Sequence, residues 1–145
     1  MKIGIIGGTF NPIHNAHLLI AEMAREEYGL DRVIFITDGN PPHKSANVTA
    51  KQRFEMTHIA IADNSAFEED DFEINRSEKS YTVNTLGYLK EKYPNNDLFF
   101  IIGEDSLNDF DKWYKPDKIL EMCSLLVFPR KSLKSLTETI KVVKE

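Results

Sequence analysis

Apolar residues along the chain form two alternating patterns: short continuous runs, and longer stretches with apolar positions at helical spacing. The short runs predict strands at Lys2–Ile6, Arg32–Thr37, Phe72–Ile74, Leu98–Ile102 and Ser124–Phe128. The longer stretches predict helices at Ala16–Tyr28, Ala50–Asp63, Thr82–Tyr93, Asp105–Phe110, Pro116–Met122 and Leu136–Lys144. Strands that alternate with helices are typical of a parallel sheet with right-handed crossovers. The predicted fold class is therefore α/β, with a doubly wound parallel sheet in a single domain over residues 1–145.

Individual residues mark the ends of some predicted elements. Thr49 suits the N-cap of the helix that begins at Ala50. The apolar residues of that helix are Phe54, Ile59 and Ile61. The segment 38–47 is rich in glycine, asparagine and proline and predicts a loop. No strand follows the last predicted helix, although an α/β unit usually returns to another strand.

Composition restricts the classes of protein that fit. Apolar residues make up 41% of the 145 residues and charged residues 28%, as in soluble globular proteins. The net charge of −5 argues against a general nucleic-acid binder. No apolar run approaches the roughly 20 residues of a membrane span, and the pattern at the N-terminus predicts a strand, so we expect no signal peptide. The lone Cys123 has apolar neighbours and is expected to be buried, which favours a reducing, cytoplasmic setting.

A glycine pair follows the first predicted strand, where a Rossmann-like, doubly wound sheet binds its ligands. Gly7 and Gly8 let the backbone turn tightly and approach a ligand without a Cβ clash. The helix that follows offers free N–H groups and a positive dipole end to an anion. His14 and His17 flank its start, and each imidazole can donate a hydrogen bond to phosphate. The segment Gly7–His17 therefore predicts a phosphate site.

The same residues have other interpretations. A glycine pair alone marks an ordinary turn, and a lone histidine is more often a surface or packing residue. His14 and His17, three residues apart, could also ligate zinc. A structural zinc site needs four ligands and a catalytic site three, and no nearby cysteine or carboxylate supplies the rest. We therefore expect no metal ligation by this pair.

The segment Gly7–His17 reads Gly-Gly-Thr-Phe-Asn-Pro-Ile-His-Asn-Ala-His and resembles a superfamily signature. It is similar to the signature of nucleotidyltransferases that carry a His-x-Gly-His motif. Ala16 stands where that motif has glycine. Because this residue opens a helix, its φ should be negative, and alanine fits there.

Three further segments extend the resemblance. Pro41-Pro42-His43-Lys44 lies on a stiffened loop and ends in a mobile positive charge. The segment Ser80–Leu86 opens a helix with hydroxyls and free N–H groups, and Ile101–Asp105 ends a strand with an acid suited to ribose hydroxyls. Thr82 and Asp105 could instead cap their helices. The aromatic pair at positions 113 and 114 could stack on a heterocycle or pack in the core.

Together the segments resemble bacterial nicotinate-nucleotide adenylyltransferases, from Lys2 to about Arg130. The resemblance implies transfer of AMP from ATP to nicotinate mononucleotide, giving deamido-NAD and pyrophosphate in NAD biosynthesis. The catalytic residues it implies are His14, His17 and Lys44. The ATP-binding residues it implies are Gly7, Gly8, Thr9, Phe10, His14, His17, Lys44, Gly103 and Asp105. The residues it implies for nicotinate mononucleotide are Thr82, Asn84, Thr85, Trp113 and Tyr114.

The implied reaction needs no protein nucleophile, because the phosphate of the acceptor is already anionic. This phosphate attacks the α-phosphorus of ATP in line and pyrophosphate leaves, so catalysis should come from positioning and charge stabilisation. Mg²⁺ is the expected cofactor, bound mainly through the ATP phosphates. The expected partners are ATP and nicotinate mononucleotide, with no nucleic acid or membrane. A homo-oligomer is compatible with the sequence.

One departure from the family pattern is large, since nothing matches its C-terminal Ser-Ser-Thr-x-x-Arg-like motif. The resemblance therefore implies a chain shortened at its C-terminus, as a truncated piece or a short gene product. A nucleotide-binding fragment with impaired catalysis is one alternative function. Pantetheine-phosphate adenylyltransferase is another, although the later segments argue against it. The choice between nicotinate and nicotinamide stays open, with backbone N–H groups at 82–85 favouring a carboxylate.

Overall fold

Strands and helices alternate along the computed structural model, which describes residues 1–8, 10, 13, 15–39, 49–75 and 81–128 and the backbone of 141–143. The strands are β1 (Lys2–Gly8), β2 (Arg32–Thr37), β3 (Phe67–Asp70), β4 (Asp97–Gly103), β5 (Ser124–Phe128) and β6 (Lys141–Val143). The helices are α1 (Asn15–Tyr28), α2 (Ala50–Ile61), α3 (Thr82–Lys92), α4 (Glu104–Asn108) and α5 (Pro116–Met122), with a short 3-10 helix at Phe110–Lys112. The predicted alternation is therefore present.

The strands form one sheet in the order β3-β2-β1-β4-β5-β6. β1 lies at its centre and runs parallel to both neighbours, with Ile5 opposite Ile34 of β2 and Phe100 of β4. The chain builds the sheet outward from β1, first to β3 on one side and then from β4 to β5 on the other. This order is that of a doubly wound α/β fold, and the predicted fold class is confirmed.

The far edge of the sheet departs from the prediction, because β6 pairs with β5 in the antiparallel direction. Val142 lies opposite Leu126, so residues 141–143 are extended and the helix predicted at Leu136–Lys144 is wrong there. Two adjacent valines favour a strand over a helix. In the strand, residues 141–143 also pair with β5. The rest of that predicted helix lies outside the described residues. β6 covers the edge that β5 would otherwise expose.

Apolar clusters cover both faces of the sheet, as expected for strands that lack alternation. On one face, Ile5 and Ile34 pack with Leu86 of α3. On the other face, Phe35 packs with Ala21 of α1. Neighbouring residues of a strand thus join different clusters, which fixes the helices on opposite sides of the sheet.

Individual residues define the start and the buried face of α2. The predicted cap is confirmed, since the Thr49 hydroxyl accepts from the Gln52 backbone N–H at 3.1 Å and Gln52 returns a bond to the Thr49 N–H. Ile59, an apolar residue of this helix, is 75% exposed. The buried face of α2 consists of Arg53, Thr57 and Ile61. Because Arg53 and Thr57 are polar, the pattern of apolar residues in the sequence does not indicate that this face is buried.

Two predictions concern other elements. Cys123 is buried as predicted, and its thiol donates to the Ile119 carbonyl at 3.4 Å. The glycine pair was predicted to follow the first strand, but β1 continues through Gly8.

Among the described helices, none has the length and apolarity to cross a bilayer.

The strand predicted at Phe72–Ile74 is wrong, because residues 72–75 form turns after β3. Three consecutive acids in β3 hide its strand pattern in the sequence. The last of them, Asp70, is buried and fixes the turn, since its Oδ1 accepts from the Phe72 N–H at 2.9 Å. Its Oδ2 accepts from Lys92 Nζ at 2.9 Å and from the Tyr88 hydroxyl at 3.1 Å.

Glu69 of β3 is a buried acid with incomplete hydrogen bonding. Its side chain is 4% exposed, its Oε1 lies 2.9 Å from His58 Nδ1, and its Oε2 has no partner among the described residues. Burial raises the pKa of Glu69 above the ordinary carboxyl value, and the His58 hydrogen bond opposes this only partly. The carboxyl group of Glu69 therefore binds its proton more tightly in the folded state than in the unfolded chain.

Replacing Glu69 by glutamine is expected to stabilise the fold at neutral pH by on the order of 1 kcal/mol, because it removes a buried charge. In the wild type, the contribution of Glu69 to the free energy of unfolding falls as pH rises from the ordinary carboxyl pKa through the raised pKa of the folded state. It falls because the unfolded chain binds fewer protons than the folded chain in that range. Urea unfolding from pH 4 to pH 8 measures the difference between the two proteins. A difference that did not grow with pH would contradict this interpretation of Glu69.

Candidate active site

A cavity of about 270 Å³ lies at the carboxyl ends of the central strands. Gly7 and Gly8 of β1, Ile36 of β2 and Ile102 of β4 form part of its wall. The crevice between β1 and β4 is where the winding of the sheet changes direction. Doubly wound folds bind their ligands at this topological switch point, so the cavity is the candidate active site.

The cavity brings together five of the predicted site residues, which are Gly7, Gly8, Thr82, Thr85 and Trp113. Thr82 and Thr85 come from the first turn of α3, one helical turn apart on the same face. The N-cap of α3 is Tyr81, with no side-chain capping bond, so Thr82 does not cap this helix. The two threonines, close to the glycine pair in space, are more than seventy positions away from it in the sequence.

The start of α3 presents backbone donors beside the cavity. The N–H groups of Asn84 and Thr85 both donate to the Tyr81 carbonyl, at 3.0 and 3.2 Å. The N–H groups of Thr82 and Val83, at the first two helical positions, have no acceptor within the helix. With the positive end of the helix dipole, they suit an anionic group. Asn84 is exposed and does not line the cavity, unlike the other predicted residues of this turn.

Thr85 is 4% exposed, and its side chain is bound to a carboxylate. The Thr85 hydroxyl donates to Oε2 of Glu73 at 2.5 Å, and the Tyr81 carbonyl lies farther away at 3.5 Å. Glu73 stands on the turn after β3 and also lines the cavity. The cavity wall therefore includes a hydrogen-bonded Thr85–Glu73 pair as well as the glycine pair.

The two aromatic residues predicted as a pair have different environments. Trp113 lines the cavity and packs against Phe110 and Phe100, with ring centroids 4.9 and 6.0 Å away. It therefore combines core packing with a face of the cavity. Tyr114 is 49% exposed, lies 4.6 Å from the Tyr81 ring, and does not line the cavity.

Phe10 and His17 lie on the other side of the glycine pair. Phe10 is 2% exposed and has a φ of +50°, which is unusual for a residue with a side chain. Its ring packs against Gly8, where an added Cβ would lie 2.9 Å from a ring carbon. The half-buried His17 ring meets the Phe10 ring edge to face, with centroids 5.1 Å apart. Phe10 thus supports the backbone of the predicted phosphate site and orients His17.

The remaining described residues of the ATP prediction lie at the end of β4. Gly103 is the N-cap of α4 and makes no side-chain capping bond, so Asp105 does not cap that helix. Asp105 is exposed in the first turn of α4, where a carboxylate interacts favourably with the helix dipole. Neither residue lines the cavity, but the neighbouring Ser106 does.

Three predicted residues, Thr9, His14 and Lys44, lie outside the described residues, and their assignment stays a prediction. Among the residues that the structure describes, no group of three histidine, cysteine, aspartate or glutamate side chains is arranged to hold a metal ion. Binding of Mg²⁺ mainly through the ATP phosphates stays a prediction.

Two acids and a buried cation around the cavity were not predicted from the sequence. Asp38 and Glu73 line it, and Arg53 of α2, only 4% exposed, donates to the Asp38 carbonyl at 2.7 Å. Burial lowers the pKa of Arg53, although its charge is still retained because the ordinary value is so high. Asp38 follows β2 directly, so the expectation that site residues follow strands could have identified it. Arg53 carries no comparable signal in the sequence.

Comparison with known proteins identifies the family to which this chain belongs. A family model described as cytidylyltransferase-like matches residues 5–144. The chain therefore belongs to the cytidylyltransferase-like family. A relative from Citrifermentans bemidjiense, named probable nicotinate-nucleotide adenylyltransferase, is 47% identical over 146 aligned residues, covering 98% of this chain and 68% of the relative. A relative of the same name from Pelobacter propionicus is 50% identical over 132 residues, covering 90% of this chain and 61% of the relative.

Solved structures with similar folds carry related names. A putative nicotinate-nucleotide adenylyltransferase from Vibrio parahaemolyticus superimposes with a TM-score of 0.74 at 27% identity, covering 92% of this chain and 77% of that one. Nicotinic acid mononucleotide adenylyltransferase from Plasmodium falciparum, solved with NaAD, gives a TM-score of 0.78 at 24% identity, covering 94% and 70%. The latter likeness concerns the fold alone. The resemblance inferred from the motifs is confirmed at the level of the family.

Proposed function

We propose that this chain transfers AMP from ATP to nicotinate mononucleotide, releasing pyrophosphate and forming deamido-NAD. The observation that carries the proposal is the cavity between β1 and β4, which joins the glycine pair to the start of α3 and to Trp113. The names of the curated relatives support the same reaction. The cytoplasmic setting and a homo-oligomeric state stay predictions from the sequence.

The two halves of the reaction occupy the two sides of the glycine pair. ATP lies along Gly7 and Gly8 toward the start of α1, where helix N–H groups and His17 meet its phosphates. Thr9, His14 and Lys44 complete this half by the family resemblance, with Gly103 and Asp105 toward adenosine. The supporting contact in the described structure is Phe10, which packs beneath Gly8 and against His17.

Nicotinate mononucleotide occupies the half of the cavity beside α3. Its carboxylate suits the N–H groups of Thr82 and Val83, while the Trp113 ring offers an apolar face to the pyridine. Thr85 contributes a hydroxyl that is already oriented by a hydrogen bond. The acceptor phosphate then points toward the ATP half, as in-line attack requires.

Catalysis in this arrangement depends on positioning and charge. The attacking phosphate needs no deprotonation by a protein base, so helix N–H groups and cationic side chains act by stabilising the negative charge at the reacting phosphates. Mg²⁺, bound mainly through the ATP phosphates, would supply positive charge to offset that of the departing pyrophosphate.

Incubating the chain with MgATP and one acceptor at a time tests the proposal. The acceptors are nicotinate mononucleotide, nicotinamide mononucleotide and phosphopantetheine, and chromatography identifies the product. We expect pyrophosphate release and a dinucleotide with the nicotinate acceptor. Preferential use of phosphopantetheine would contradict the proposal. Calorimetric binding of nicotinate mononucleotide without product would identify a nucleotide-binding chain instead.

A further inference from the structure

Glu73 is an acid in the cavity wall that makes a short hydrogen bond to a predicted acceptor-binding residue. The 2.5 Å separation from Thr85 Oγ1 to Glu73 Oε2 is typical of a hydroxyl that donates to a carboxylate, a bond stronger than one between neutral groups. Thr85 is 4% exposed and Glu73 is half-buried, so the bond is partly shielded from water. Such a bond holds the threonine in one rotamer.

The turn that carries Glu73 is held on two sides. Asp70 Oδ1 accepts from the Phe72 N–H at 2.9 Å, and the Phe72 ring stacks on Tyr88 of α3 with centroids 4.3 Å apart. On the other side the backbone of Gly39 approaches so closely that an added Cβ would lie 2.7 Å from Ile74 Cα. The carboxylate is therefore presented to Thr85 from a backbone whose position is fixed before a ligand binds.

We propose that Glu73 is a positioning residue for the acceptor nucleotide, acting through Thr85. A hydroxyl can donate one hydrogen bond, and the Thr85 hydroxyl donates it to Glu73. Toward the cavity Thr85 then offers lone pairs, and the N–H groups of Thr82 and Val83 remain as the donors for an anionic group. Glu73 in this way fixes the pattern of donors and acceptors on the α3 side. This inference rests on the proposed function, because it assigns that side to nicotinate mononucleotide.

Calorimetric titration of the whole chain with nicotinate mononucleotide, and separately with ATP, tests the role. For Glu73→Ala we expect nicotinate mononucleotide to bind about tenfold more weakly, the scale of one lost hydrogen bond to a charged group, with ATP binding unchanged. Glu73→Gln keeps the reach and an acceptor oxygen and should largely restore affinity. Glu73→Asp keeps the charge but withdraws the carboxylate, and should resemble the alanine variant.

Two further variants separate positioning from general effects. Asp71→Asn removes an exposed acid from the same connection without touching Thr85 and should bind both ligands like the wild type. Thr85→Val should lose at least as much affinity as Glu73→Ala, and adding Glu73→Ala to it should cost nothing more, because Glu73 acts only through Thr85.

The outcomes distinguish this inference from the proposed function. If the wild type fails to bind nicotinate mononucleotide, the proposed function is wrong. If the wild type binds it and Glu73→Ala binds equally well, only the role of Glu73 is wrong. The role would also be overturned if Glu73→Ala weakened the binding of both ligands equally. It would be overturned as well if the losses of affinity in the Glu73 and Thr85 variants were additive in the double variant. Should Glu73→Ala fail to fold, the contrast between Glu73→Gln and Glu73→Asp decides in the same way.

Discussion

Replacing His17 by alanine is expected to lower turnover by about 10²–10³-fold, or about 2.7–4 kcal/mol of transition-state stabilisation, the range found when one charge-stabilising donor is lost. His17 lies in the first turn of α1, next to the glycine pair at the end of β1. From there its ring can donate to a phosphate that also meets the helix N–H groups. Pyrophosphate release at saturating MgATP and nicotinate mononucleotide measures the effect.

The His17 ring also packs against Phe10, so loss of packing has to be separated from loss of a donor. His17→Phe keeps a ring at the edge-to-face contact and removes both nitrogens. If donation matters, this variant should be as slow as His17→Ala while melting near the wild type. His58→Ala removes another histidine, on α2 outside the cavity, and should keep full turnover. Near wild-type turnover in His17→Phe would refute the assigned role.

The fold could be predicted to the extent that apolar runs reveal buried parallel strands. Arg32–Thr37 and Ser124–Phe128 agree with the observed strands residue for residue, because both lie within the sheet and are covered on both faces. β3 was not predicted, because it is an edge strand in which acids replace the expected apolar residues. Its acids take specific partners, such as Lys92 and His58, which no local pattern records.

The site was predictable where chemistry follows a strand or opens a helix. Gly7 and Thr85 satisfy that rule and do meet across the cavity. Glu73 was missed because its turn had been assigned to a strand, and once β3 is placed correctly it too follows a strand end. Arg53 was not predictable in this way, since its bond to the Asp38 carbonyl depends on how α2 packs beside β2. Tertiary packing decides such contacts, and one sequence does not encode them locally.

Replacing Gly39 by alanine is expected to lower the free energy of unfolding by about 1–3 kcal/mol, the usual cost of overpacking at a tight contact. An added Cβ would lie 2.7 Å from Ile74 Cα and 2.8 Å from the Glu73 carbonyl carbon, and closer still to the carbonyl oxygen. All three atoms belong to the backbone, so no side chain can rotate away. Either the segment after β2 or the turn at 72–75 must move, and urea unfolding measures the cost.

Gly87→Ala is the matched control, because an added Cβ there meets no atom within 4 Å. Gly87 lies inside α3, where alanine is favoured over glycine by about 0.5–1 kcal/mol, so this variant should be more stable than the wild type. Gly39→Ala should in addition weaken binding of nicotinate mononucleotide, since a displaced turn moves the Glu73 carboxylate away from Thr85. A Gly39→Ala protein as stable as the wild type would show that the backbones yield freely at this contact. The turn would then lack the rigidity from which Glu73 is argued to orient Thr85.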